Sequence, residues 1–162
     1  MFKAVDGRQF EFDEQLDVGK RVEELFALNY PDLSLLNGIE GDFLLPDGRK
    51  MEIKADFHDE VNFFFERWSR DKRAGGPWQS LGHGAHVFVI YFVKTNTWYS
   101  FDCAELVEIL NDICEYKQLI SIRNNGFTSS GYIVPITDLE SYWTKGHLDI
   151  LKLVERAKQG AA

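Results

Sequence analysis

Apolar residues recur along this chain at two periods, and the switches between them mark out its elements. In Asp17–Asn29, Val22, Leu25 and Phe26 stand at i, i+3 and i+4, one buried stripe of a helix. Tyr30-Pro31 ends it, because the residue before a proline avoids helical backbone. In Glu40–Leu45 and Arg49–Ala55 the period falls to two, which predicts strands. Pro46-Asp47-Gly48 joins them. Pro and Asp suit the centre of a type I turn and Gly48 the left-handed position after it, a three-residue hairpin loop. Phe43, Leu45, Met51 and Ile53 then share one face, which reads as core. Val61–Trp68 alternates again, with Phe63 and Phe65 on one side and Asn62, Phe64 and Glu66 on the other. Val87–Val93 is apolar almost without interruption, as in a strand buried on both faces.

Lys94-Thr-Asn-Thr predicts a turn from which Trp98–Phe101 pairs back. Asp102 suits an N-cap with Glu105 at the third helical position, opening a helix over Cys103–Lys117 with Leu106, Ile109, Leu110 and Ile113 inward. Leu119–Arg123 and Tyr132–Ile136 read as strands around Asn124-Asn-Gly126. Thr137 or Asp138 starts a short helix, and His147–Lys158 forms a last, amphipathic one. Phe2–Phe12 holds a short strand or an irregular arm. Together these predict an α/β chain with a mixed central sheet of four or five strands and helices packed on it. No repeat, linker or second domain is visible.

A chain of 162 residues, 44% hydrophobic and 14% aromatic, has the material for one real core. No apolar run reaches membrane-spanning length, and Met-Phe-Lys-Ala-Val-Asp lacks the apolar core of a signal peptide. Cys103 and Cys114 show no disulfide pattern, so a reducing cytoplasm is the expected setting. The net charge of −8 argues against tight DNA binding by bulk electrostatics. It is compatible with a few acids gathered on a metal and a local basic patch on phosphates.

The hairpin carries the candidate chemistry. Counting back from Leu45 opposite Arg49 places Asp42 opposite Glu52, with Lys54 two residues along on the same face. Like charges facing across a ladder are destabilising unless something sits between them. A divalent cation is the natural candidate, because hard cations prefer carboxylate oxygens. The plain alternative is a solvated amphipathic hairpin, with Glu40, Asp42, Lys50, Glu52 and Lys54 in weak ion pairs. The most basic stretch follows the next strand: Arg67, Arg70, Lys72 and Arg73, then glycines, Pro77 and Trp78. Basic groups with an aromatic suit a nucleic-acid strand. The alternative there is a solvated loop with Trp78 tucked on the core. His83 and His86, three apart across a glycine, read as structural or surface residues, since two histidines alone do not make a metal site. His58 reads as a turn residue. No Gly-x-Ser-x-Gly elbow or phosphate-binding Gly-Lys-Ser/Thr loop is present.

Gly41-Asp42, a short gap and Glu52-Ile53-Lys54 resemble the PD-(D/E)XK nuclease superfamily, the restriction-endonuclease-like fold. Gly41 stands where that pattern has proline. Three flanking features add to the likeness. The helix around Glu23-Glu24-Leu25-Phe26 is similar to the family's first helix, which often carries an acid facing the site. Asn62-Phe-Phe-Phe-Glu66 is similar to an Asn-x-x-x-Glu strand of phage-type members. Gly76-Pro-Trp-Gln-Ser80 leads into Ala85–Phe92 as a Gly-rich turn leads into a buried strand there. The likeness runs from Val18 to Val93, about half the chain. It implies one nuclease-like domain over residues 1–162, with a mixed central sheet flanked by helices. It further implies a Mg²⁺- or Mn²⁺-dependent nuclease hydrolysing phosphodiester bonds, most simply a DNA endonuclease. Asp42, Glu52 and the carbonyl of Ile53 would hold the metal, and Lys54 would serve the attacking water. Glu23 would complete the site through a metal-bound water. Arg70, Lys72, Arg73, Trp78 and Ser80 would meet the DNA. Junction-cutting relatives are often dimers, which leaves room for a homodimer. The other reading is a non-catalytic nucleic-acid-binding or protein-interaction module.

Overall fold

Residues 2–3, 9–10, 12–36, 41–70, 72–124 and 127–160 are described by a computed structural model of the protein. Strands β1 (Phe2–Lys3) and β2 (Gln9–Phe10) pair antiparallel and lead into helix α1 (Phe12–Asn29). Then come β3 (Ser34–Leu35), β4 (Phe43–Leu44) and β5 (Lys50–Asp56). After them run β6 (Asn62–Ser69), β7 (Arg73–Ala74) and α2 (Gly76–Gly82). Next are β8 (Val87–Phe92), β9 (Thr97–Asp102) and α3 (Cys103–Ile113). The chain closes with β10 (Ile120–Asn124), β11 (Phe127–Pro135), a 3₁₀ turn (Ile136–Leu139), β12 (Thr144–His147) and α4 (Ile150–Gly160).

A six-stranded mixed sheet, in the order β12-β9-β8-β5-β4-β3, forms the centre. β5 and β8 run parallel, and the other pairs in it are antiparallel. Every residue of β8 is buried, because both faces of the sheet are covered. On one face Val87, Val89 and Tyr91 join Phe43, Met51 and Ile53 beneath Val22, Leu25 and Phe26 of α1. On the other, Phe88, Ile90 and Phe92 meet Leu106 and Leu110 of α3 and Phe63, Phe65 and Val134 of a second sheet. Phe63 is wholly buried among the rings of Phe65, Phe92, Tyr99 and Phe101. Truncating such a residue to alanine costs about 3–5 kcal/mol.

In place of one sheet of four or five strands there are a six-stranded and a four-stranded sheet, besides the β1–β2 pair. β6 leaves the Asp42/Glu52 sheet and pairs with β11 in a four-stranded antiparallel sheet ordered β10-β11-β6-β7. Alternation correctly puts Phe63 and Phe65 inward but says nothing about which strand lies alongside. Several boundaries also differ: α1 already begins at Phe12 rather than Asp17, and β11 at Phe127 rather than Tyr132. The stretch Gly76–Ser80 is the start of a helix, not a turn: Pro77 at its first positions needs no donor there, and its fixed φ suits a helix start. β12 takes His147 out of the last helix, and Gly146 lies flat on the Trp98 ring, where no larger residue fits. α3 stops at Ile113, where its apolar stripe runs out and Tyr116 stands exposed. Its start is as expected, with the Asp102 carboxylate accepting the Glu105 N–H at 2.9 Å. Glu40, Asn125 and Gly126 fall outside the described residues. No described helix is long and apolar enough to cross a membrane.

Candidate active site

The hairpin register follows from the turn. The Leu45 N–H bonds the Arg49 carbonyl, the Gly48 N–H bonds the Leu45 carbonyl, and Phe43 lies opposite Met51. At Asp42 the ladder changes character. Its N–H reaches the Met51 carbonyl, while its carboxylate accepts the Ile53 N–H at 2.8 Å. Asp42 therefore sits against the backbone of β5 beside Glu52, held in place by the Ile53 peptide. Gly41 makes this approach feasible. Its φ is +133°, and a Cβ there would stand 3.0 Å from the Met51 carbonyl oxygen. Proline, locked near −65°, cannot adopt that angle, which is a physical reason for glycine here.

Glu52 and Lys54 extend from the same side of β5, next to Phe88 and Ile90 of β8. The Lys54 ammonium lies 2.9 Å from Glu52 Oε1; the glutamate side chain is 19% exposed and the lysine 51%. From α1, Glu23 reaches the same place and hydrogen-bonds Asp42, while its neighbour Glu24 is exposed. Asp42 thus interacts both with Glu23 of α1 and with Glu52 and Lys54 of β5. The strip of alternate residues that begins with Glu52 continues to Asp56, which is turned instead to His58, its turn partner at 2.8 Å.

The electrostatics are those of crowded acids. Burial, opposed by the Ile53 hydrogen bond and reinforced by Glu23, pushes the Asp42 pKa up to about 6. Burial also raises that of Glu52; Lys54 opposes the rise, Asp42 adds to it, and His83 opposes it. For Lys54, burial works against the charge, but Glu52, Asp42 and Glu66 outweigh it and raise its pKa. The last two relations bring in residues not expected at the site. In the sequence Glu66 stands out only through the Asn62-Phe-Phe-Phe-Glu66 likeness, which assigns it no role at the site. His83, which caps α2, reads there as structural or surface, and its partner His86 is indeed occupied in accepting the Lys50 N–H at 3.0 Å.

Glu66 is fixed by a glycine pair. A Cβ on Gly75 would overlap its side chain, at 2.8 Å from Cγ, and one on Gly76 would stand 2.6 Å from its carbonyl oxygen. Gly76 also has φ +46°. Beyond Glu66, β6 and β7 form a tight hairpin closed by Ser69 opposite Arg73, with Lys72 left-handed at φ 66°. Arg70, Lys72 and Arg73 are exposed there, so the basic stretch is a hairpin tip rather than a loose loop. Trp78 and Ser80 do not join them. Trp78 packs on the core, donates to Asn111 at 2.9 Å and lies under Arg67, which also stacks on Trp68 at 3.8 Å. Ser80 is buried.

Three carboxylates around one lysine offer the hard oxygens that Mg²⁺ or Mn²⁺ prefers. Asp42, between Glu23 and Glu52, is the carboxylate best placed to take part in holding such an ion. Among the described residues, no three His, Cys, Asp or Glu side chains already stand at ligating spacing, so water would have to fill part of the shell. Compared with known proteins, the chain matches no family model and no curated protein.

Proposed function

We propose that this chain is a metal-dependent nuclease of restriction-endonuclease-like arrangement that hydrolyses phosphodiester bonds in DNA. The observation that carries the reading is the convergence of Glu23, Asp42, Glu52 and Lys54 from α1, the β4 approach and β5, with Lys54 held 2.9 Å from Glu52. A solvated hairpin gives no reason for acids to be gathered and partly buried where each makes the next harder to ionise.

Asp42, Glu52 and the Ile53 carbonyl would hold Mg²⁺ or Mn²⁺, with Glu23 behind Asp42. A bound ion of this kind lowers the pKa of water and offsets charge growing on a phosphate. The protein's own groups do the rest. Glu52 keeps the Lys54 ammonium pointed into the site, where it orients the attacking water and meets negative charge on the phosphate. The Ile53 peptide fixes Asp42 so that its carboxylate need not reorganise. Arg70, Lys72 and Arg73, at the end of the strand that carries Glu66, offer phosphates a local grip on an otherwise acidic protein.

The test is incubation with branched, single-stranded and duplex DNAs in Mg²⁺ and in Mn²⁺. Wild type should cut at least one of them, and Lys54→Ala should lose cleavage while keeping its fold and its metal binding. Metal binding without cleavage of any substrate would favour the non-catalytic module. Full activity in Lys54→Ala would remove the lysine from the mechanism.

A further inference from the structure

The face of the six-stranded sheet turned away from Glu52 and Lys54 is not closed by α1. A cavity of about 720 Å³ opens beside that helix, with Met51, Val87 and Val89 as its floor. That volume lies within the usual range for small-molecule sites. Its walls are aromatic. Tyr30 and Trp98 meet at 77° with centroids 6.3 Å apart, forming a corner, and Phe26 stands 6.1 Å from Tyr30. The corner is rigid, because the Trp98 indole N–H donates to the Tyr30 hydroxyl at 3.0 Å.

The charged residues lining the cavity are two aspartates and one arginine. Asp32 and Asp102 line the cavity, and Asp32 has no cationic partner among the described residues. Arg49 is the lining guanidinium, and it is already engaged by Asp47 at 2.8 Å. Asp102 spends one oxygen on the α3 N-terminus. Ring faces and carboxylates both attract positive charge, and the apolar floor favours a hydrocarbon body. From these features we infer that the cavity binds a small organic cation: an ammonium or guanidinium group carried on an apolar body. The site is separate from the nuclease reading and stands without it.

Benzyltrimethylammonium is a suitable probe, with benzenesulfonate as its anionic counterpart of similar size. The Trp98 indole N–H signal, followed by heteronuclear NMR of the whole chain, is the reporter. The cation should shift that signal saturably, while the anion should leave it in place. Asp32→Asn, a change at an exposed position that leaves the fold intact, should weaken the cation about tenfold, the factor that 1.4 kcal/mol produces. Tyr30→Leu should abolish binding, and Tyr30→Phe should retain most of it. Equal shifts from both probes, or no saturation up to about 10 mM, weaker than any useful affinity, would overturn the inference. So would an Asp32→Asn variant that binds like wild type.

Discussion

Asp42 is the residue at which the needs of folding and of the site diverge. Its pKa, raised to about 6 by burial, means that the folded protein holds this proton more tightly than the unfolded chain does. The associated stability is complete below the ordinary carboxylate range and is lost as the pH rises through about 6. At pH 8 the ionised carboxylate therefore works against folding, by an amount on the order of 3 kcal/mol. Asp42→Asn keeps an oxygen for the Ile53 N–H and should raise the melting temperature at pH 8, with the gain shrinking toward pH 4. Thermal unfolding across that range tests it; an equal gain at both ends would mean the acid is not strained by its setting. Divalent metal should raise the wild-type melting temperature at pH 8 and leave Asp42→Asn nearly unmoved, because ligand binding adds stability only where the site exists. Lys54 carries the opposite sign. The attraction of its acids is present throughout the neutral range and would fade only above the ordinary lysine value.

Among the elements, the crossing of Gly75-Gly76 over β6 has the least tolerance. At Gly76 an added Cβ meets backbone, which cannot swing away, and φ is left-handed. Gly76→Ala should cost about 1–3 kcal/mol, the usual toll of a strained non-glycine backbone. At Gly75 the obstacle is the flexible Glu66 side chain. Gly75→Ala should therefore cost less, and nearly nothing in a Glu66→Ala background. Urea midpoints of the two single variants and the double-mutant cycle check both statements. The elements also show what hydrophobic patterning conveys. Pro46-Asp47-Gly48 sets the register of its own hairpin, so the neighbourhood of Asp42, Glu52 and Lys54 can be counted out from the sequence. Asp102 announces α3 through the acceptor that its first turn needs. These signals are local. The departure of β6 to a second sheet depends on β11, more than sixty residues later, and Phe63 and Phe65 would alternate identically in either sheet. Glu66 and His83 reach the site through that same long-range packing. α2 is hidden because Gly75, Gly76 and Pro77 mark loops as readily as helix starts, and β12 because four mostly polar residues on an edge carry no period.

For the molecule as a whole, charge is the dominant constraint. A chain of net charge −8 repels DNA at long range, so under the proposed function binding would have to concentrate where the sign is reversed. Replacing Arg70, Lys72 and Arg73 together by Ala should weaken DNA binding. It should also flatten the salt dependence, by up to about 0.9 in log–log slope for each duplex phosphate that the variant no longer neutralises. Metal binding should survive, because the hairpin tip supplies no carboxylate. Fluorescence anisotropy across a salt series gives both readouts; an unchanged slope would move the DNA surface elsewhere. The single parallel junction among the described strands, β5 with β8, has a different kind of consequence, one of timing. Hairpins close across a few residues, but β5 and β8 can meet only after roughly thirty residues have gone out and returned, a loop whose closure entropy must be met first. Asp42, Glu52 and Lys54 can gather as soon as one local hairpin forms during folding. Glu66, His83 and the basic tip arrive with the long excursion, so Asp42, Glu52 and Lys54 come together early and their surroundings last.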